Sequence, residues 1–223
     1  MIKVLSSKQA YKLDELSISS KIISEEDLVD NAGKSIAYHI IEKFNQPFNK
    51  KYLCIAGVGN NGLDAVVCNY YLNLNNIESK LLIIDKKNIN LIAASKYIIP
   101  KTILSIKNIH NIPYFDWIID GIFGTGLNRK IEGDYYDVIK LLESIKNILS
   151  IDVPSGVFSS TGSTANIFIK AKQTISFAHP KVAHFLSEGY IATGELFLYP
   201  IGHSDLDVGS ALNLVEKKDI VSM

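Results

Sequence analysis

Cysteine is scarce in this chain: Cys54 and Cys68 are the only two in 223 residues. Cys54 stands in an apolar run that reads as a strand and Cys68 in an apolar segment that reads as a helix, in neither a CxxC nor a metal-ligand spacing. That excludes a disulfide scaffold and a thiolate metal site, and it suits two buried thiols in a reducing, cytoplasmic compartment. Net charge of one sign is also missing, since 23 Lys plus Arg balance 23 Asp plus Glu. With its lysines scattered, the chain has no basic footprint for nucleic acid or an anionic membrane, and a small-molecule ligand is expected instead. No apolar run approaches the length of a bilayer span, and the N-terminus, Met1 to Lys8, lacks the apolar stretch of a signal peptide. Repeats and low-complexity linkers are absent too. The chain is expected to be one domain over residues 1–223, long enough to bury a full core.

What is present is organised around residues 52–67. A short apolar run, Tyr52 to Ala56, ends at Gly57-Val58-Gly59-Asn60-Asn61-Gly62, and an apolar-periodic segment through Val66, Val67, Tyr70 and Tyr71 begins at once. This reads as strand, glycine turn, helix. Such an order brings backbone N–H groups and the positive end of a helix dipole to the carboxyl end of a strand, where an anion such as a pyrophosphate is favoured. Gly57, Gly59 and Gly62 fit the dinucleotide fingerprint, and Asp85, closing the next apolar run, stands where a ribose-binding acid would. A turn that merely packs a helix closely on a sheet would show the same spacing.

Upstream, residues 1–23 are polar, with a possible helix over Lys8 to Leu16. Ser24-Glu25-Glu26-Asp27 opens a core helix whose apolar face runs from Leu28 to Phe44. Its mid-helix Ala32-Gly33 implies close packing, read here as helix on sheet. Downstream come a strand from Lys80 to Asp85, a helical stretch from Leu91 to Ile99, a strand from Phe115 to Asp120 and a second glycine loop, Gly121 to Leu127. A helix near Tyr136 to Ile145, a strand Ile148 to Ile151, and strands at Thr174 to Ala178 and Glu195 to Tyr199 follow. Strands rich in Ile, Leu and Val without strict alternation, interleaved with helices, predict an α/β fold: a Rossmann-like three-layer αβα sandwich with a mostly parallel central sheet.

In such a sheet ligands sit outside the carboxyl ends of the strands, so three loops should share one rim. They carry Asn60, Asn61 and Asp64; Asp120, Thr125 and Arg129; and Asp152 and Ser155. Two strand-end carboxylates, Asp120 and Asp152, would repel if close, which calls for a bound cation or for one of them to hold its proton. Carboxylate, amide and hydroxyl oxygens are hard ligands suited to an alkali or alkaline-earth ion; each Asp could instead cap a turn. Arg129 is the only arginine in the chain, and its planar fork is suited to phosphate or carboxylate. Ser155 lacks the first glycine of a G-x-S-x-G elbow and has no evident acid–His pair, which argues against hydrolase chemistry. His179 and His184 are not spaced for a helical zinc site and read as core or surface residues.

Taken together, Gly59-Asn60-Asn61-Gly62-x-Asp64, Asp120 to Arg129 with Gly133 and Tyr135, Asp152-Val-Pro-Ser-Gly156, Ser176-Phe-Ala-x-Pro-Lys181 and Leu28-Val-x-x-Ala-Gly33 resemble the motifs of the YjeF N-terminal domain family, the NAD(P)H-hydrate epimerases, over nearly the whole chain. The resemblance implies a homodimeric isomerase that interconverts the R and S forms of hydrated NADH and NADPH (NADHX and NADPHX), with a potassium ion beside the substrate. Carried over by position, the potassium ligands are Asn61, Asp120 and Ser155. Substrate contacts are Asn60, Asn61, Gly62, Leu63 and Asp64, then Gly124, Thr125, Gly126, Leu127, Asn128, Arg129 and Lys130, and Asp152. Asp152 is the expected acid–base residue, because epimerising a C6 hydroxyl beside a ring nitrogen opens and recloses a C–O bond.

Two departures stand out. Leu63 and Ala65 replace glycines of the family's Gly-Asn-Asn-Gly-Gly-Asp-Gly pattern, so Leu63 could lean over the anion cradle or pack sideways. No dehydratase or kinase-like domain is found here, although many relatives carry one, so an ATP- or ADP-dependent dehydratase acting on the same substrate is expected as a separate protein or beyond residue 223. A non-catalytic nucleotide-binding or scaffold module of the same fold is the alternative function. An NAD-dependent oxidoreductase would rest on the fingerprint and Asp85 alone.

Overall fold

The computed structural model describes residues 2–85, 95–104, 112, 114–204, 206–209 and 212–214. In chain order its strands are β1 (Ile2–Val4), β2 (Tyr52–Ala56), β3 (Ser79–Ile83), β4 (Ile103–Leu104), β5 (Trp117–Gly121), β6 (Ile148–Ile151), β7 (Gln173–Phe177), β8 (Glu195–Tyr199) and β9 (Leu212–Leu214). Among the described residues five α-helices accompany them: α1 (Ser7–Ser19), α2 (Glu25–Lys43), α3 (Asn60–Leu74), α4 (Gly133–Leu142) and α5 (Ser187–Thr193). Strands β2 to β8 form one parallel sheet in the order β4-β3-β2-β5-β6-β7-β8. The expected three-layer α/β sandwich is the fold observed.

Both faces of the sheet are covered, which is why its strands are apolar at nearly every position. Along β2 the side chains alternate between two cores: Tyr52, Cys54 and Ala56 join Ile36 and Ile40 of α2 and Val66 of α3, while Leu53 and Ile55 join Val138, Ile139 and Leu142 of α4. A parallel strand buried on both faces gains apolar burial from both sets. Among the described residues no helix is long and apolar enough to cross a membrane.

Several element boundaries differ from the sequence expectation. Helix α1 runs past both ends of the expected Lys8–Leu16, because Ser6 and Gln9 form a capping box at its start. The predicted helix Leu91–Ile99 lies partly outside the described residues, and Ser95–Tyr97 is a single 3₁₀ turn. The tight pair Ala32-Gly33 meets another helix rather than the sheet. A Cβ on Gly33 would collide with the Val67 side chain and stand 2.8 Å from the Asp64 carbonyl, both on α3. The antiparallel pair β1–β9, which no local pattern announced, ties the chain's two ends together.

Strand order locates the site. From β2 the chain winds outward through β3 and β4, then returns to the other side of β2 for β5 to β8. The loops leaving β2 and β5 therefore diverge at the carboxyl edge between two adjacent strands, the place where open parallel sheets bind ligands.

Candidate active site

The two glycine loops are pressed against each other at this edge. The Gly57 N–H donates to the Gly121 carbonyl at 3.0 Å, and a Cβ at Gly57 would collide with the Ile122 carbonyl oxygen. Gly121 has no room for a side chain either, since its Cβ would stand 2.6 Å from the Ala65 Cβ and from the Asn61 carbonyl. These glycines are close-approach residues. What they bring together is the start of α3 and the loop that carries Arg129.

Helix α3 begins at Asn60 after Gly59, which offers no capping side chain. Its first N–H groups thus face a cavity of about 470 Å³, within the ordinary range for ligand sites. Asn60, Asn61 and Asp64, the stretch Ile122 to Arg129, and Asp152 all line it. Gly62, Leu63 and Lys130 do not. Leu63 is buried in the core cluster that includes Leu28 and Ala32 and does not line the cavity, so it packs sideways and leaves the helix N-terminus open. Ala65 is fully buried against Gly121. Lys130 is exposed and lies 3.7 Å from Glu132. Arg129 stands exposed at the rim with no hydrogen bond or ion pair among the described residues, a free guanidinium fork beside a helix N-terminus.

Asn61, Asp120 and Ser155 converge behind this rim. Asp120 is fully buried at the end of β5. It accepts hydrogen bonds from the Ser155 hydroxyl at 2.5 Å, the Ser150 hydroxyl at 2.8 Å, and the backbone N–H groups of Ser155 and Ile122 at 3.0 and 3.2 Å. Burial pushes its carboxyl above the usual range, and these donors pull it back. All four partners are neutral, so a negative charge here would lack a counter-charge. The Ser155 Oγ also accepts the Phe123 N–H at 2.9 Å. Asn61 donates its amide to the Ile151 carbonyl at 3.1 Å, which leaves its Oδ1 turned toward Gly124. Among the described residues no cluster of three or more His, Cys, Asp or Glu could hold a metal. One carboxylate with amide, hydroxyl and carbonyl oxygens fits a weakly held alkali cation rather than a transition metal.

Asp152 is placed differently. It directly follows β6, in the left-handed region at φ 62°, a conformation Asp tolerates better than most residues. Its Oδ1 lies 2.5 Å from the Lys181 ammonium and accepts the Ser176 hydroxyl at 3.0 Å. Lys181 is itself 4% exposed and also donates to the Phe177 carbonyl at 3.2 Å. His184 locks the pair from behind: its Nδ1 accepts the Lys181 N–H at 3.0 Å and its Nε2–H donates to the Asp152 carbonyl at 2.8 Å. That arrangement requires the neutral ring, and burial, helped by the nearby Lys181 ammonium, lowers His184 to about 4. The histidine read from sequence as core or surface is thus a core residue that braces the site.

The far wall of the cavity comes from segments with no recognisable signal. The Leu5 N–H and carbonyl bond to Pro180 and Val182 at 2.9 and 3.1 Å, which lays α1 across the opening with Tyr11 and Asp14 toward the cavity. His203 joins Asp14 through Nε2 at 2.7 Å. Those two residues are 189 positions apart, and nothing local foretells their meeting. Lys181 was within reach of sequence reasoning, because its motif was noted, but only the fold shows that it faces Asp152.

Known proteins share this arrangement of sequence and fold. The sequence pattern of the family described as YjeF-related protein N-terminus matches residues 25–183. An NAD(P)H-hydrate epimerase of Oenococcus oeni is 26% identical over 89% of this chain and 96% of its own length. One from Nitrosopumilus maritimus is 30% identical over 78% of this chain and 84% of its own. A bifunctional NAD(P)H-hydrate repair enzyme of Thermofilum pendens is 26% identical over all of this chain, which spans 44% of that longer protein. The crystal structure of yeast ynu0 matches with a TM-score of 0.72 at 21% identity, covering 98% of both chains, a likeness of fold.

Proposed function

The chain belongs to the family of YjeF-related protein N-termini, and from that premise we propose that it is an isomerase interconverting the R and S epimers of hydrated NADH and NADPH. The observation that carries this reading is that one cavity joins an anion cradle to buried carboxyl groups: the α3 N-terminus and Arg129 on one side, Asp64 and the Asp152–Lys181 pair on the other. The cradle suits a pyrophosphate, and the carboxyl end suits proton transfer at a C6 hydroxyl beside a ring nitrogen. Asp152 acts from its ion-paired carboxylate form, as the base that takes the proton of the adding water.

Asn61, Asp120 and Ser155 would hold a potassium ion, which when bound orients the hydroxyl and offsets the buried Asp120 charge. A homodimer in the cytoplasm belongs to the same reading. The unpaired, buried Cys54 and Cys68 support a reducing compartment, and the exposed Tyr190, Ile191 and Leu198 beside edge strand β8 support self-association. A dehydratase acting on the same substrate, as a separate protein or beyond residue 223, would complete the repair. Leu63 and Ala65, the two departures from the family's glycine pattern, are both core residues that do not line the cavity, so neither obstructs the site this reading requires.

The test is chromatographic separation of the two NADHX epimers. A sample of one purified epimer incubated with the protein at neutral pH should reach the equilibrium mixture far sooner than a protein-free control. Equal rates in the two would overturn the proposal.

A further inference from the structure

Of the cavity's carboxyls, Asp64 is the buried one that the hydrogen bonds among the described residues leave alone, whereas Glu25, also without a partner there, is exposed. Asp64 sits in the second turn of α3, is 7% exposed and lines the cavity. Among the described residues no donor reaches its carboxyl oxygens, whereas Asp120 has four donors and Asp152 has a lysine and a serine. The Asp64 oxygens are not among the fully enclosed side-chain atoms that lack a partner, so they open onto the cavity, the space where a ligand would sit. Its helix is clamped in place from behind, because Gly33 lets α2 approach within contact of the Asp64 carbonyl.

Resting on the epimerase reading above, we propose that Asp64 is the second catalytic carboxyl of this site, the proton donor that works with Asp152 as acceptor. An epimerisation that opens and recloses a C–O bond needs a donor for the oxygen that leaves and an acceptor for the water that returns on the other face. The two carboxyls come from different elements, the α3 helix and the loop after β6, and so can serve different faces of one ring.

The step balances without a redox partner. The Asp64 carboxylic acid gives its proton to the C6 hydroxyl, and the C6–O bond breaks with its electron pair leaving on oxygen as water. The ring nitrogen lone pair forms the C6=N1 double bond. Water then attacks C6 from the opposite face, the C6–O bond reforms, the pair returns to nitrogen, and the surplus proton passes to the Asp152 carboxylate. Between the two halves a cationic ring lies beside two carboxylates, which stabilise it. Proton exchange with solvent, or turnover of the opposite epimer, restores the starting state.

The electrostatics agree. Burial first, then the Asp152 charge and that of Asp14, push Asp64 well above the usual carboxylate range, with Lys181 opposing. Glu25 of α2 and Arg129 of the β5 loop also face the cavity, and His203 holds Asp14. A carboxyl that burial biases toward its acid form, sharing a cavity with one held in an ion pair by a lysine, suits an acid–base division of labour.

The experiment compares wild type, Asp64→Asn and Asp64→Glu. Asn is isosteric with a protonated Asp, so Asp64→Asn should keep the melting temperature and hold KM for NADHX within about threefold, while kcat falls by roughly 10²-fold or more. Asp64→Glu should recover part of that loss. Infrared difference spectroscopy at neutral pH supplies a readout that a structural role would not move: a protonated-carboxyl band present in wild type and missing in Asp64→Asn. An Asp64→Asn protein with a kcat within threefold of wild type, or no such band, would overturn the assignment while leaving the epimerase reading intact. A wild-type protein that does not mix the epimers at all would overturn both.

Discussion

At the residue scale, Leu63 and His184 show how position decides the meaning of a side chain. Leu63 stands in the first turn of an anion-facing helix but is buried in the core and does not touch the cavity. Leu63→Gly should therefore lose apolar burial, leave a void and weaken the helix. The expected loss is about 3–5 kcal/mol of stability in urea titrations, with no gain in affinity for a nicotinamide dinucleotide by calorimetry. Tighter binding at unchanged stability would show that the side chain obstructs the cradle after all. His184 governs an acid limb of stability. Unfolded, it takes a proton near pH 6.5; folded, only near 4. Between those values the unfolded chain holds more protons, so stability falls as pH falls through that window, by up to about 1.4 kcal/mol per pH unit from this group. His39, also lowered by burial, adds to the slope. Urea midpoints measured from pH 7.5 down to 4.5 should show the decline, and His184→Gln, which keeps a donor for the Asp152 carbonyl, should make it shallower.

At the scale of elements, the contact between α2 and α3 is the support for the turn of α3 that carries Asp64. Ala32-Gly33 lets the helices touch at Val67 and the Asp64 carbonyl. Gly33→Ala gains about 1 kcal/mol of helix propensity but forces a methyl into occupied space, which costs about 1–3 kcal/mol and must be relieved by separating the helices. The expected outcome is a net loss of stability in urea and a drop in epimerisation rate larger than any change in KM, because the displaced element carries Asp64. A variant more stable than wild type would show that the two helices can yield there. The same element pair corrects the reading from sequence, which placed this glycine against the sheet. A helix-periodic pattern reveals which face is apolar but not what lies opposite.

At the scale of the whole molecule, a bound cation would tie the start of α3, strand β5 and the loop after β6 together through Asn61, Asp120 and Ser155, and ligand linkage predicts a thermal consequence. Replacing potassium chloride with tetramethylammonium chloride at equal ionic strength should lower the melting temperature of wild type by several degrees. Asp120→Asn should be insensitive to the exchange. Equal melting temperatures for wild type in both salts would argue that the neutral donors around Asp120 suffice. The α/β class, the parallel sheet and the shared rim were legible in the order of elements, because buried parallel strands need continuous Ile, Leu and Val and because glycine loops mark where strands hand over to helices. The motif residues Asn60, Asn61, Asp64, Asp120, Arg129, Asp152 and Ser155 were legible for the same reason: each lies at a strand end, in the loop that follows one, or at the first turns of a helix. Sequence could not say how those residues divide their tasks. That Asp120 is saturated by neutral donors, Asp152 paired with Lys181 and Asp64 left without a partner depends on contacts between segments far apart in the chain. So does the wall built by Asp14 and His203. Local pattern carries periodicity and turn chemistry, which set the elements. Proton affinity and charge pairing depend on burial and on distances across the fold, and only the packed tertiary structure supplies those.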